Sequence, residues 1–170
     1  MSTRTNPSST TAPRAVGGAS IVGAERHNGD GPGPQVMDAA TLKGDSVVND
    51  QGDDLGKIEA IMLDVTTGRI AYAVLSFGGF LGMGNKLFAI PWSALTLDTD
   101  QKCFILNVAK ERLENAPGFD KDHWPSMADA AWATNLHTYY SARPYWDDSL
   151  RSSEDRRTSA GSDARDPDAY

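Results

Sequence analysis

The chain has 170 residues, a formal net charge of −7 at pH 7 and 39% hydrophobic residues. This length suits one folded domain, and the modest hydrophobic content indicates that part of the chain lies outside a packed core. Because non-specific binding to nucleic acids depends on Lys and Arg neutralising phosphates, the acidic balance argues against nucleic acid or an anionic membrane as a partner.

The single cysteine, Cys103, excludes a disulfide or a cysteine-based zinc site within the chain. It stands in an apolar run, which favours a buried side chain. No apolar stretch approaches the roughly 20 residues that a membrane-spanning helix needs, and the N-terminus lacks the apolar core of a secretory signal. We therefore expect a cytoplasmic protein with no membrane span.

Both ends of the chain have the composition of disordered segments. Residues 1–35 are rich in Ser, Thr, Pro and Gly, and residues 149–170 are charged and rich in Ser and Asp. Such segments bury too little surface to offset the entropy lost on ordering. The sequence therefore predicts a disordered arm at each end, with a domain at 36–116 and a tail at 117–148 between them.

Short strand signals follow one another through the domain at 36–116. Turn formers separate them at spacings of about ten residues. The signals occur at 45–48, 55–65, 69–77, 87–90, 95–97 and 103–108. They predict a mainly β fold, a small antiparallel β-barrel of about five or six strands. A short helix is expected at 109–115, ahead of Pro117.

The strand signal at 55–65 carries apolar residues at both odd and even positions. Either both faces of this strand are buried, or a β-bulge near Glu59 or Ala60 switches the apolar face. At its end, Asp64 precedes the turn formers of 66–68. Its carboxylate is expected to accept hydrogen bonds from the backbone amides of that turn.

The tail at 117–148 concentrates large aromatic side chains: Trp124, Trp132, Tyr139, Tyr140, Tyr145 and Trp146. Within it, residues 126–129 resemble a helix capping box. The helix that follows places Trp132, Leu136 and Tyr139 on one apolar stripe, which we call the tail stripe. Because large aromatics are costly to leave in water, the tail should dock on its own barrel or on that of a partner subunit.

Three groups of residues resemble ligand sites but fit other structures better. The glycine-rich segment 78–84 lies between two strands instead of opening a helix, so it favours a hairpin connection over a phosphate loop. The acidic turn at 50–54 lacks the alternating oxygens of a calcium loop. His123 and His137 are too far apart for a helical metal pair. We expect no catalytic residues, no cofactor and no metal, and hence no enzyme.

The glycine-rich segment also carries large apolar residues. Phe80, Leu81 and Met83 are expected near the surface, where an apolar patch often marks a protein interface. Together with the tail stripe, they form the predicted interface. Because a small barrel with surplus aromatics has reason to associate, we expect a homodimer.

The stretch from about 41 to 113 resembles the PRC-barrel family. The matching residues are Gly44, Val47, Gly52, Leu55, Gly56, Ile58, Asp64, Gly68, Ile70, Tyr72, Val74, Gly78, Gly79, Leu81, Gly82, Pro91 and Trp92. The aromatic tail is similar to that of stand-alone bacterial members. The family is named for the cytoplasmic domain of the photosynthetic reaction-centre H subunit, and it includes the C-terminal domain of the ribosome-maturation factor RimM.

The resemblance implies a small β-barrel used for binding or assembly, with no catalytic or cofactor-binding residues to carry over. It alone links the chain to reaction-centre-type electron-transport assemblies, since neither the H subunit's transmembrane helix nor RimM's second domain is predicted here. We expect a non-enzymatic, self-associating protein-binding module. The alternative is a sensor that holds a small ligand or a metal in a pocket between the barrel and the aromatic tail.

Overall fold

The computed structural model describes residues 18–23, 36–78, 84 and 86–147. Its strands are β1 (Ser20–Val22), β2 (Ser46–Val48), β3 (Asp54–Asp64), β4 (Arg69–Phe77), β5 (Lys86–Pro91), β6 (Leu95–Asp98) and β7 (Cys103–Leu106). Its helices are α1 (Ala39–Leu42), α2 (Lys110–Glu114), α3 (Ala130–Tyr139) and a 3₁₀ helix at Trp92–Ala94. The described part of the chain is therefore mainly β with few helices, as the sequence predicts.

The sheet differs in two respects from the predicted antiparallel barrel of about five or six strands. It has seven strands in the order β1-β6-β7-β2-β3-β4-β5, and it is mixed because the pairs β1–β6 and β2–β7 are parallel. It also does not close into a barrel, since β1 and β5 end it without pairing with each other in the described residues. The prediction assumed that each strand pairs through a hairpin with the strand next to it in sequence. The parallel pairs instead join segments that are distant in sequence.

The strand β1 lies inside the segment 1–35, for which composition predicts disorder. It pairs with β6 through its backbone, and Ala19 packs against the main core. The prediction does not hold for residues 20–22, because backbone pairing with an existing edge needs few apolar side chains. The rest of the arm, apart from residues 18, 19 and 23, and the predicted C-terminal arm lie outside the described residues.

The long strand β3 contains the bulge that the sequence offered as one of two explanations. Its register against β4 shifts between Ile58 and Ala60, and again between Met62 and Leu63. Ile58 is buried in the main core, and Ile61 packs against that core from beyond the first bulge. Met62 belongs to the opposite face of the sheet. The bulge near Glu59 therefore switches the face to which the apolar residues point.

One main core gathers buried side chains from the strands β2 to β7 and from the helices α1 and α2. Its largest members are Val47, Leu55, Ile58, Leu75, Phe88, Ile90, Leu95, Phe104, Leu106 and Leu113. Because strands from both halves of the sheet contribute, the sheet bends around this core. Cys103 is buried as a free thiol, as predicted. The tail leaves the main core at Phe119. The backbone of Phe119 pairs with Leu87 at the outer edge of β5.

Gly56 lies where β3 passes closest to β4. Its φ is +110°, and a Cβ atom on it would lie 2.1 Å from the carbonyl oxygen of Ser76. That oxygen belongs to the backbone and has little freedom to retreat. The position therefore requires glycine for two reasons, its conformation and the space available.

We predict that Gly56→Ala lowers the free energy of unfolding by about 2 kcal/mol or more, because positive φ and a backbone clash act together. Gly68→Ala is the matched control: its φ is +71° but nothing lies within 4 Å of its Cβ position. The control should lose only about 1 kcal/mol. Urea unfolding of both variants measures the difference. An equal loss in the two would contradict the close approach of β3 and β4.

Candidate functional site

The aromatic tail packs on the face of the sheet that points away from the main core. A second apolar cluster there contains Ala71, Tyr72, Ala89 and Leu136, with Met62, Phe119, Met127, Trp132, Tyr140 and Tyr145 packed against it. Strands β4 and β5 supply one side of this cluster and the tail supplies the other. We call it the sheet–tail interface. It lies within one chain, which is one of the two arrangements that the sequence left open.

The helix α3 begins later than the capping motif suggests. Its N-cap is Asp129, whose carboxylate accepts a hydrogen bond from the backbone amide of Trp132 at 2.7 Å. Ser126, the predicted cap, instead accepts from the amide of Asp129 through its carbonyl. Because aspartate is itself a strong N-cap, the helix begins directly after Asp129, and the preceding turn ends there.

The structure divides the tail stripe between two contacts. Leu136 is buried and Trp132 is half-buried at the sheet–tail interface. Tyr139 instead packs against the main core, and its hydroxyl donates to the carbonyl of Arg112 at 2.7 Å. The Arg112 guanidinium in turn donates to the Tyr139 carbonyl and lies over its ring. All of these contacts lie within one chain, and a role of the stripe in binding another protein stays a prediction.

Tyr72 lies at the centre of the sheet–tail interface. Its ring contacts those of Trp132, His137 and Tyr145, with centroid distances of 5.4, 5.7 and 5.9 Å. The side chain is 1% exposed, yet its hydroxyl has no hydrogen-bond partner in the described residues. Burial raises the pKa of Tyr72 above its ordinary value, and the neighbouring Tyr145 adds to the shift. The group is therefore a neutral hydroxyl with an unused proton.

His137 lies beside Tyr72 and is 2% exposed. Its Nδ1 atom is 2.8 Å from the carbonyl oxygen of Ala133, which assigns the ring proton to Nδ1. The Nε2 atom then carries a lone pair, and it has no partner in the described residues. Burial lowers the pKa of His137, and the hydrogen bond to Ala133 opposes that shift in part.

These two polar atoms can form hydrogen bonds at the sheet–tail interface, which its apolar side chains cannot do. The Tyr72 hydroxyl can donate one hydrogen bond, and the Nε2 atom of His137 can accept one. Sequence reasoning favoured hydrogen-bonded or exposed histidines over a metal ligand, and the hydrogen bond of His137 to Ala133 agrees with the first of these, but the position beside Tyr72 was missed. The available signal was its place one turn beyond Ala133, on the buried face of α3.

The other groups of residues that resemble sites in the sequence form local hydrogen bonds within the chain. In the acidic turn, the Asn49 side chain accepts from the amides of Gln51 and Asp53 and donates to the Asp53 carboxylate. Asp64 accepts from the amides of Thr66 and Thr67, as predicted. The described ranges contain no group of three or more His, Cys, Asp or Glu side chains arranged to hold a metal. No helix in the same ranges is long and apolar enough to cross a membrane.

Large apolar side chains are exposed on the β3–β4 hairpin and near the end of the tail. Leu63 is 54% exposed, Val65 87% and Trp146 42%. The guanidinium of Arg69, on the same hairpin, donates to the carbonyl of Tyr145 at 2.9 Å and so joins the two segments. We call Leu63, Val65 and Trp146 the hairpin patch. The predicted contact residues Phe80, Leu81 and Met83 lie outside the described residues.

Comparison with known protein families identifies a domain in this chain. Residues 34–113 match the model of the PRC-barrel domain. The matched range contains the strands from β2 to β7, but neither β1 nor α3. A comparison with curated proteins finds no match.

We predict that acidification weakens the fold through His137. Its pKa in the folded chain lies below the ordinary value of about 6.5, so its contribution is complete above that pH and is lost as the pH falls towards the folded pKa. The free energy of unfolding should fall by up to about 1.4 kcal/mol per pH unit in this window. Urea titrations at about pH 7 and about pH 5.5, followed by Trp fluorescence, measure the loss.

In this test, His137→Phe should remove most of the loss, because an aromatic ring without a titrating group fills the same site. His123→Gln, at an exposed position, should retain the loss. An unchanged pH dependence in His137→Phe would contradict the assignment to that ring.

We also predict that Tyr72→Phe leaves the stability unchanged or raises it by up to about 1 kcal/mol, because an unpartnered buried hydroxyl is removed. Tyr139→Phe is the matched control, since its hydroxyl donates to Arg112, and it should lose up to about 1 kcal/mol. Thermal unfolding of the two variants compares them. A larger loss in Tyr72→Phe would show that its hydroxyl is hydrogen-bonded in solution.

Proposed function

We propose that this chain, whose residues 34–113 match the PRC-barrel domain, is a non-enzymatic protein-binding or assembly module that associates with a second copy of itself. The hairpin patch is the observation that carries this proposal. The hairpin patch exposes large apolar side chains on a domain that resembles those used for assembly. Exposed apolar side chains that group into one patch commonly mark a protein interface.

The exposure of the patch follows from the fold. The second register shift of β3 lies between Met62 and Leu63, and it leaves Leu63 turned outward while Met62 packs under the tail. Val65 follows in the turn, whose backbone is held by the Asp64 carboxylate. The patch is therefore presented on a fixed backbone, which lowers the entropy cost of binding.

A second copy is the partner that requires the fewest assumptions. A two-fold symmetric interface uses the same surface on both subunits, so an apolar patch can bury itself against its own copy. The segment with Phe80, Leu81 and Met83 is a second proposed contact. The tail stripe stays a third proposed contact, although Trp132, Leu136 and Tyr139 also pack within the chain.

The family resemblance supports assembly as a general role. By family alone, the proposed setting is a reaction-centre-type electron-transport assembly. A cytoplasmic location belongs to the same proposal.

One observation favours a second candidate function, that of a small-ligand sensor. The Tyr72 hydroxyl and the Nε2 atom of His137 are both buried and unpartnered at the sheet–tail interface. A small polar ligand bound there would connect β4 to α3, so its binding would change how the tail packs on the sheet. Such a ligand would add mass to the chain under native conditions.

We predict that the full chain forms dimers and that Leu63→Ser combined with Val65→Ser raises the dimer dissociation constant at least about tenfold, since burial of two aliphatic side chains is lost. Native mass spectrometry and sedimentation velocity over a concentration series measure this. Val36→Ser is a control with a similarly exposed valine outside the patch, and it should have no effect.

The same spectra separate the remaining outcomes. Loss of dimers only in Phe80→Ser with Leu81→Ser would place the contact in the glycine-rich segment. A wild-type monomer at all concentrations would refute self-association, and a mass beyond that of the chain would favour the sensor.

A further inference from the structure

The last residues of the tail pack against His137. The backbone amide of Ala142 donates to the carbonyl of His137 at 2.9 Å, so the chain turns back soon after α3 ends. The centroid of the Trp146 ring lies 4.9 Å from that of the His137 ring, and the Tyr145 ring lies 6.2 Å away. We call residues 142–147 the tail end. His137 therefore contacts the segment that supplies Trp146 to the hairpin patch.

The tail end is joined to the rest of the domain by ring contacts and by two hydrogen bonds. The Tyr145 ring meets that of Tyr72 edge-on at 5.9 Å, within the sheet–tail interface. The Tyr145 carbonyl accepts from Arg69 at 2.9 Å, and the Arg143 carbonyl accepts from the Ser93 hydroxyl at 2.7 Å. Hydrogen bonds of this kind contribute modestly, because water competes for the same groups. The position of the tail end therefore depends on the rings that pack beneath it.

His137 fits its place as a neutral ring. It is 2% exposed, and the proton on its Nδ1 atom is donated to the carbonyl of Ala133. A second proton, on Nε2, would have no acceptor in the described residues, where that atom has no hydrogen-bond partner. A buried charge without a partner is far more costly than a buried neutral group. Attraction between the imidazolium and the Trp146 ring offsets part of this cost.

The groups that face His137 do not reverse this preference. Tyr72 from β4 and Tyr145 from the tail end have rings in contact with it, and burial raises the pKa of both, so both are neutral hydroxyls. The charged residues of the tail end and of the neighbouring hairpin are Asp64, Arg69, Arg143 and Asp147. Burial is the largest influence on the pKa of His137 and lowers it, and the hydrogen bond to Ala133 opposes that shift. Protonation therefore favours an arrangement in which the ring reaches water.

We propose that His137 is a pH-dependent positioning residue for the hairpin patch, whose neutral ring holds Trp146 in place and whose protonated ring releases the tail end and weakens self-association. This regulation rests on the proposed function, because it acts on the same patch. Leu63 and Val65 lie on the β3–β4 hairpin, so release of the tail end removes one of the three patch residues and leaves the other two.

The pH window and the size of the effect follow from the proton that His137 takes up. The contact with Trp146 is fully favourable above the ordinary pKa of about 6.5, and it is lost as the pH falls towards the lower pKa of the folded chain. The dimer dissociation constant should rise by up to about tenfold per pH unit in this window for each His137 that becomes protonated. Loss of net negative charge on acidification acts in the opposite direction, since it reduces repulsion between subunits that each carry −7 at pH 7.

The test is sedimentation velocity of the full chain over a concentration series at about pH 7.5 and about pH 5. The wild-type dissociation constant should rise at least about tenfold at the lower pH. His137→Phe and His137→Gln are two variants that do not titrate here, and in both the constant should stay unchanged or fall. His123→Gln, at an exposed position, should keep the wild-type pH dependence. Far-UV circular dichroism at both pH values reports whether the sheet stays folded.

The indole N–H resonance of Trp146 gives a local readout that does not need a dimer. In Leu63→Ser with Val65→Ser it should shift with pH below about 6.5, and the shift should vanish when His137→Phe is added.

The proposal is overturned if the wild-type constant does not rise on acidification, or if the rise persists in both His137 variants. It is also overturned if circular dichroism is lost together with the dimers, because unfolding would then account for dissociation. A wild-type monomer at pH 7.5 refutes self-association and this regulation with it. A Trp146 resonance that still follows the pH through His137 would then show that the ring contact is right, so the two failures are distinguishable.

Discussion

The burial of β4 on both faces is the constraint from which the rest of the structure follows. Residues 71–75 are all at most 5% exposed, although alternate side chains of a strand point to opposite sides of the sheet. Such a strand needs an apolar layer on each side. The bent sheet supplies the main core on one side, and the tail with α3 supplies the layer on the other. The tail is therefore part of the folded domain, although it lies beyond the residues that match the PRC-barrel model.

The candidate site results from the same arrangement. Tyr72 packs beneath α3 among the rings of Trp132 and Tyr145, and its hydroxyl has no hydrogen-bond partner in the described residues. His137 arrives on the buried face of α3 and uses only one of its two nitrogens. Buried polar groups without partners are uncommon in folded proteins, so each one calls for a physical explanation. The burial of His137 makes the interface sensitive to protonation.

Local chemistry made part of this structure predictable. The strand signals, the turn after Asp64 and the bulge near Glu59 depend on residues within a few positions of one another. The parallel pairing of β2 with β7 and of β1 with β6 does not, because it joins distant segments through backbone groups that every residue carries. The burial of His137 was equally hidden, since it depends on which face of α3 meets the sheet. Composition also concealed β1, whose pairing needs little apolar surface.

The central claim is that the tail covers the sheet of its own chain. In a sample that mixes isotope-labelled with unlabelled protein, filtered nuclear Overhauser spectra separate contacts within a chain from contacts between chains. The 5.4 Å separation of the Tyr72 and Trp132 rings should give cross-peaks within one chain. Cross-peaks only between labelled and unlabelled chains would place the tail on a partner subunit and contradict the account.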